Sequence, residues 1–249
     1  MPLYKTDRVE YNIVTGNITI AMENGQQLPA YWAHPARGNR FPAVALIHNW
    51  WGITAVVRRM ANLFAQTGYY AIIPDLFDGQ LPKTPTEAAA AVKSLGDNAF
   101  RKIDASLTVL ESHHMSNRKV AAVGIGMGGT LAYQAAIERD DLEVAVSFYG
   151  FPQKMLGTFD RANTPILAVY GTEDQFIKPV VVRSLKQELA TTPLANDHQV
   201  LEIQGAKHDF IVDRPNATEE QQVNVAWQTA QGFIDKFIEP PAKPQRKTY

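Results

Sequence analysis

The chain has no cysteine among its 249 residues. That excludes disulfides, thiolate metal sites and a catalytic thiol together. It also lacks any run of about 18 apolar residues, so no segment reads as a membrane-spanning helix. Charge of neither sign is in excess: 24 Lys and Arg stand against 25 Asp and Glu, a net charge of −1. Without a basic excess there is none of the sequence-independent affinity that nucleic-acid binders use. The start, Met1-Pro2-Leu3-Tyr4-Lys5-Thr6-Asp7-Arg8, is polar and has no apolar stretch of the kind a signal peptide needs. With 45% of its residues apolar, the chain is not disordered as a whole. What remains is expected to be a soluble, cytoplasmic globular protein, long enough to bury a sizeable core.

Apolar periodicity divides the body into alternating strands and helices. Residues 17–22 and 28–34 alternate apolar and polar around Glu23-Asn24-Gly25, the pattern of an antiparallel hairpin. Ala43-Val44-Ala45-Leu46-Ile47 is a short unbroken apolar run, suited to a strand buried on both faces. Val56, Met60, Leu63 and Phe64 then recur at helical spacing up to Gly68. Further strands are expected at 69–73, closed by Pro74-Asp75, and at 120–123, 144–148, 165–170 and 199–203. Helices are expected at 87–110, in one or two pieces broken near Gly96, and at 128–137, 180–189 and 219–238. This order predicts an α/β class: a doubly wound, mostly parallel sheet with an antiparallel N-terminal hairpin and helices on both faces. One domain is expected over 1–239. The remaining residues, 240–249, are proline-rich and basic, cannot build a core, and read as a tail or partner contact.

Ligands of such sheets sit beyond the carboxyl ends of the strands. The strongest local signal there is Gly124-Ile125-Gly126-Met127-Gly128-Gly129, between a strand and a helix. Gly124, Gly126 and Gly129 satisfy the G-x-G-x-x-G dinucleotide fingerprint, which needs an acid at the end of the next strand. That strand ends Ser147-Phe148-Tyr149-Gly150, with no acid. The other reading is a nucleophile elbow, G-x-Nuc-x-G, whose middle residue is pushed out above the sheet. Its middle residue here is Gly126, which has no side chain.

The partners of an elbow follow in the α/β-hydrolase order of nucleophile, acid and His. Asp174 lies in Gly171-Thr172-Glu173-Asp174 and His208 in Gly205-Ala206-Lys207-His208-Asp209-Phe210, each directly after an expected strand. Singly, a loop Asp is often a turn residue and a loop His merely solvated; the shared order and flanking glycines favour a pair. His113-His114 is read as a solvated helix end, because adjacent residues on a helix do not face one another. No metal-ligand spacing is present, and neither metal nor cofactor is expected.

At these residues the chain resembles the dienelactone hydrolase family of α/β hydrolases, from about residue 28 to about 237. The resemblance rests on His48-Asn49-Trp50-Trp51-Gly52, Pro74-Asp75-Leu76-Phe77, the glycine turn, Tyr149-Gly150, Gly171–Asp174 and Gly205-Ala206-Lys207-His208. It implies an α/β-hydrolase fold, Asp174 as acid, His208 as base, and the backbone N–H groups of Met127 and Trp50 as oxyanion hole. It also implies a Cys or Ser at position 126 and a glutamate in the loop that reads His48-Asn49-Trp50. Gly126 and Asn49 depart from that pattern together. A carboxylate that serves a thiol has no task once the thiol is gone, so the paired change reads as natural divergence. His48, Asn49, Trp51 and Tyr149 are expected to line the pocket, with His48 either donating into it or capping its loop.

Two functions follow as expectations. One is a hydrolase of small esters or lactones, with a water held near Gly126 in place of the side-chain nucleophile. The other is a non-catalytic descendant, a pseudoenzyme that binds a small ester, lactone or carboxylate. Neither a nucleic-acid nor a membrane partner is expected, and the protein is expected to be a monomer or homodimer.

Overall fold

The computed structural model of the protein describes residues 11–38, 40–212 and 215–239. The polar start at 1–8 and the basic tail at 240–249 lie outside the described residues. The hairpin forms from β1 (Ile13–Ala21) and β2 (Gln27–Pro35), paired with Asn17 opposite Tyr31. Then follow β3 (Phe41–Ile47), α1 (Ala55–Gln66), β4 (Tyr70–Pro74), α2 (Pro85–Leu95) and α3 (Asn98–Ser112). The second half contains β5 (Ser116–Ile125), α4 (Met127–Glu138), β6 (Val144–Phe148), β7 (Ile166–Gly171), α5 (Pro179–Leu189), β8 (Gln199–Ile203) and α6 (Ala217–Phe237). All eight strands join one sheet in the order β1-β2-β4-β3-β5-β6-β7-β8. β2 is antiparallel to both β1 and β4, and every other pairing is parallel. This is the mostly parallel sheet with an antiparallel N-terminal hairpin that the sequence pattern predicts, and the α/β-hydrolase-like fold that the resemblance implies.

Every residue of β3 is buried, which requires cover on both faces of the sheet. α1 and α6 pack together, with Phe64 and Trp227 ring centroids 4.7 Å apart. α3 and α4 pack together as well, tied by Arg139, which pairs with Asp104 and with Glu111. The chain leaves β3 for β4 on one side and returns to place β5 on the other. The loops after β3 and β5 therefore emerge side by side, at the point where such a sheet opens a crevice.

The helical stretch expected at 87–110 is two helices, with Gly96 closing the first at φ 48°. α6 begins at Ala217, two residues before the expected start, because Asn216 caps it. The Asn216 side chain accepts the Thr218 and Glu219 N–H groups, and the Glu219 carboxylate accepts the Asn216 N–H at 2.9 Å. β5 starts at Ser116, ahead of the apolar run, since Asn117, Arg118 and Lys119 at its exposed end carry no apolar signal. His113 caps the end of α3 and His114 is exposed just beyond it, a helix end as the sequence reading has it, with their rings 4.4 Å apart. Helical spacing no longer keeps them from facing one another.

Candidate active site

β5 runs into α4 through Gly126, whose φ of 55° and ψ of −115° make the turn abrupt. A Cβ on Gly124 would lie 1.9 Å from the Gly128 carbonyl oxygen, and one on Gly128 would lie 2.2 Å from that of Ile47. Those two glycines are dictated by close packing. Gly126 is not: a Cβ there would meet Asn49 Cβ at 3.5 Å and Tyr149 Cε2 at 3.8 Å, ordinary contact distances. The Gly126 N–H donates to Phe148 O at 2.9 Å and its carbonyl accepts the Thr130 N–H at 3.1 Å. Met127 opens α4, so its N–H is one of the donors a helix start leaves without an intrahelical partner.

Opposite this turn, β7 and β8 bring two loops together. A Cβ on Gly171 would strike Ala206 O at 2.1 Å, and the Glu173 N–H donates to that same oxygen at 2.9 Å. Glycine at 171 is thus what lets the loop of Asp174 seat on the loop of His208. The Asp174 carboxylate faces His208 Nδ1 at 2.7 Å through one oxygen. Its other oxygen accepts the N–H groups of Phe176 at 2.8 Å and Ile177 at 2.9 Å. Burial by itself would raise the Asp174 pKa; the bonds from His208, Ile177 and Phe176 outweigh it and hold the carboxyl below its ordinary value.

The loop after β3 is held from behind by His48, which is fully buried. Its Nδ1 donates to Asn49 O at 2.6 Å, which leaves Nε2 to accept the Leu76 N–H at 3.1 Å. Burial pushes its pKa down. Of the two roles open in the sequence, this is the loop-holding one. The Asn49 side chain accepts the Trp51 N–H at 3.1 Å, and the half-buried Trp50 and Trp51 rings stand 5.1 Å apart.

Three aromatic rings surround the His208 imidazole: Phe176 at 5.0 Å, Tyr149 at 5.1 Å and Phe151 at 5.3 Å between centroids. Tyr149 is buried, whereas Phe176 is 63% exposed and forms an outer wall. Asp209 follows His208 with a left-handed backbone, φ 55°. Its carboxyl pKa is raised, first by burial and also by the negative charge of Asp174, against the opposing effects of His208 and Asn49.

The dienelactone hydrolase family matches this chain over residues 28–238, which span all but the first strand of the sheet just described. The chain belongs to the dienelactone hydrolase family. Relatives include "Protein usf" of Aquifex pyrophilus, 27% identical over 226 residues, covering 87% of this chain and 96% of that protein. The "Carboxymethylenebutenolidase homolog" of Mus musculus is 28% identical over 184 residues, covering 68% of this chain and 74% of that one. A dienelactone hydrolase-like promiscuous phosphotriesterase from metagenomic libraries matches in structure with a TM-score of 0.78 at 19% identity, over 90% of this chain and 98% of that one. That likeness concerns the fold.

Within this dienelactone hydrolase family chain, Gly126, Asn49 and Tyr149 lie in mutual reach, and Tyr149 touches His208, which bonds Asp174. Trp50 and Trp51 sit on the adjoining loop. Phe151, Phe176 and Asp209 were not singled out from the sequence. Two of them carry a signal by position alone: Asp209 directly follows the His, and Phe176 lies two residues past the Asp. Among the described residues, no group of three or more His, Asp or Glu side chains could hold a metal ion. No described helix is long and apolar enough to cross a membrane.

Proposed function

We propose that the protein hydrolyses small carboxylic esters or lactones with a water molecule in place of a side-chain nucleophile. The observation that carries this reading is the Asp174–His208 pair, with Nδ1 of His208 2.7 Å from the Asp174 carboxylate, across from a turn with side-chain room at Gly126. With Nδ1–H bonded to Asp174, Nε2 of His208 is the basic nitrogen. A water beside Gly126 attacks the substrate carbonyl carbon as its proton passes to Nε2. The carbonyl oxygen becomes the oxyanion, received by the N–H groups of Met127 and Trp50. Collapse breaks the carbon–oxygen bond to the leaving group, which takes the proton back from His208; acid and alcohol leave. Asp174 keeps the imidazole in its tautomer and stabilises the imidazolium, which an idle binding pocket would not require.

Turnover is expected to be slow. Removing the nucleophile of a serine protease costs about six orders of magnitude, while oxyanion hole and binding retain about 10³–10⁴ over water. The second reading, a pocket that binds such molecules without turnover, is favoured by Gly126 and Asn49 standing where the family carries nucleophile and glutamate. Initial rates on a panel of short-chain esters and lactones, with His208→Ala alongside, decide between them. Hydrolysis that His208→Ala abolishes supports the enzyme; rates equal to those of the variant and of buffer leave the binding protein.

A further inference from the structure

Resting on that reading of the site, we propose that His48 is a positioning residue: by holding the Asn49 carbonyl from behind, it aims the Trp50 N–H at the developing oxyanion. The Asn49 C=O and the Trp50 N–H belong to one peptide unit. Among the described residues no peptide bond is cis, and across a planar trans unit these two groups point in opposite directions. Whatever fixes the carbonyl therefore fixes the N–H.

His48 Nδ1 stands 2.6 Å from Asn49 O, closer than the other donor to that oxygen, the Gly52 N–H at 3.1 Å. A carbonyl only accepts, so Nδ1 carries the proton and Nε2 accepts the Leu76 N–H at 3.1 Å. Leu76 is tied in turn through its carbonyl to Lys102 Nζ at 3.0 Å, which braces the buried ring from α3. The Trp50 N–H is thereby directed away from His48, and among the described residues no acceptor meets it. The same device recurs at the start of α4. Gly126 O accepts the Thr130 N–H at 3.1 Å, which turns the Met127 N–H out of the helix. The two segments touch: a Cβ on Gly126 would lie 3.5 Å from Asn49 Cβ, and one on Gly128 would lie 2.7 Å from His48 O. Two N–H groups, each set by the carbonyl of its own peptide, thus belong to segments that meet beside Gly126.

Two substitutions separate the bonds of His48. Asparagine places an amide N–H where Nδ1 stands and keeps the tie to Asn49, whereas glutamine reaches as far as Nε2, can accept from Leu76 and gives up that tie. Calorimetric titration reads the oxyanion hole without turnover, using phenyl methylphosphonate, a tetrahedral anion, and acetanilide, its planar neutral counterpart. The unaltered protein is expected to bind the phosphonate about tenfold or more tighter. His48→Gln should cut that preference by about tenfold while moving acetanilide by less than about threefold, and His48→Asn should hold it within about threefold. Should the glutamine variant fail to fold, amide NMR of the unaltered protein takes its place: phosphonate should shift the Trp50 and Met127 N–H resonances downfield together. An unmoved Trp50 resonance, no phosphonate preference, a preference that survives His48→Gln, or one lost equally in both folded variants would each overturn the proposal. Absent hydrolysis with this pattern intact would sink the catalytic reading alone. Hydrolysis that His208→Ala abolishes, beside a phosphonate preference that His48→Gln leaves unchanged, would remove only the role of His48.

Discussion

The two sides of the site are finished to different degrees. On the β7 and β8 side, each atom that would orient a general base is in place: Nδ1 of His208 on one Asp174 oxygen, two backbone N–H groups on the other. On the β3 and β5 side the scaffold is equally exact in its packing, with Gly124 and Gly128 pressed against neighbouring carbonyls, yet the position it presents holds only hydrogen. A tightly packed strand-to-helix turn can therefore surround a position that carries no side chain. The tight glycines are held by the packing of sheet on helix, whereas the side chain at position 126 answers only to function.

Substituting within the tight side should break that comparison most severely. Gly124→Ala would drive a methyl into the Gly128 carbonyl, at a cost above ~4 kcal/mol, and should yield insoluble or unfolded protein by circular dichroism. Asp174→Asn on the opposite side should leave the fold intact and lower ester hydrolysis by about 10²–10⁴, through loss of the imidazole tautomer. Soluble, stable Gly124→Ala protein, or an Asp174→Asn enzyme of full activity, would show that the two sides have been assigned the wrong roles.

Restoring the missing atom should sharpen the contrast. Gly126→Ser fits by distance, but its φ of 55° costs an L-residue about 1–3 kcal/mol, so the melting temperature should fall by several degrees. Hydrolysis of an activated ester should rise by about 10²-fold or more, with a pre-steady-state burst and an acyl adduct visible by mass spectrometry. A folded serine variant that neither bursts nor acylates would mean that His208 does not serve this position.

The smallest effect expected is on stability at acid pH, from a histidine remote from the chemistry. His198 Nδ1 accepts the Ile166 N–H at 3.1 Å, and burial lowers its pKa to about 4. The folded value lies below the unfolded value of about 6.5, so its contribution is complete above that pH and is lost as pH falls toward 4. The melting temperature should drop by a few degrees between pH 7 and pH 5, and His198→Asn should flatten the slope. A pH-independent melting temperature would contradict the buried neutral imidazole.

The α/β class, the hairpin, the strand sequence and the places of Asp174, His208 and the glycine turn were all legible, because each is written locally. Apolar runs mark buried strands, glycines mark close approaches, and chain order gives the order of the loops. The Asn216–Glu219 capping box was equally readable, though attention to apolar periodicity placed that helix start two residues late. The partners of His208 were less visible. Phe151 and Phe176 come from two separate loops, and their sequence positions do not show that both rings pack against one imidazole.

By itself the sequence determined the alternation of strands and helices, the absence of a thiol and the absence of a side chain at Gly126. Only the tertiary structure decided that His48 holds its loop instead of facing the site, that the open position at Gly126 borders Asn49 and Tyr149, and that aromatic faces enclose His208. Local periodicity fixes which elements form. Which loops meet at one edge of a sheet depends on strand order, and strand order is set by packing the whole chain at once.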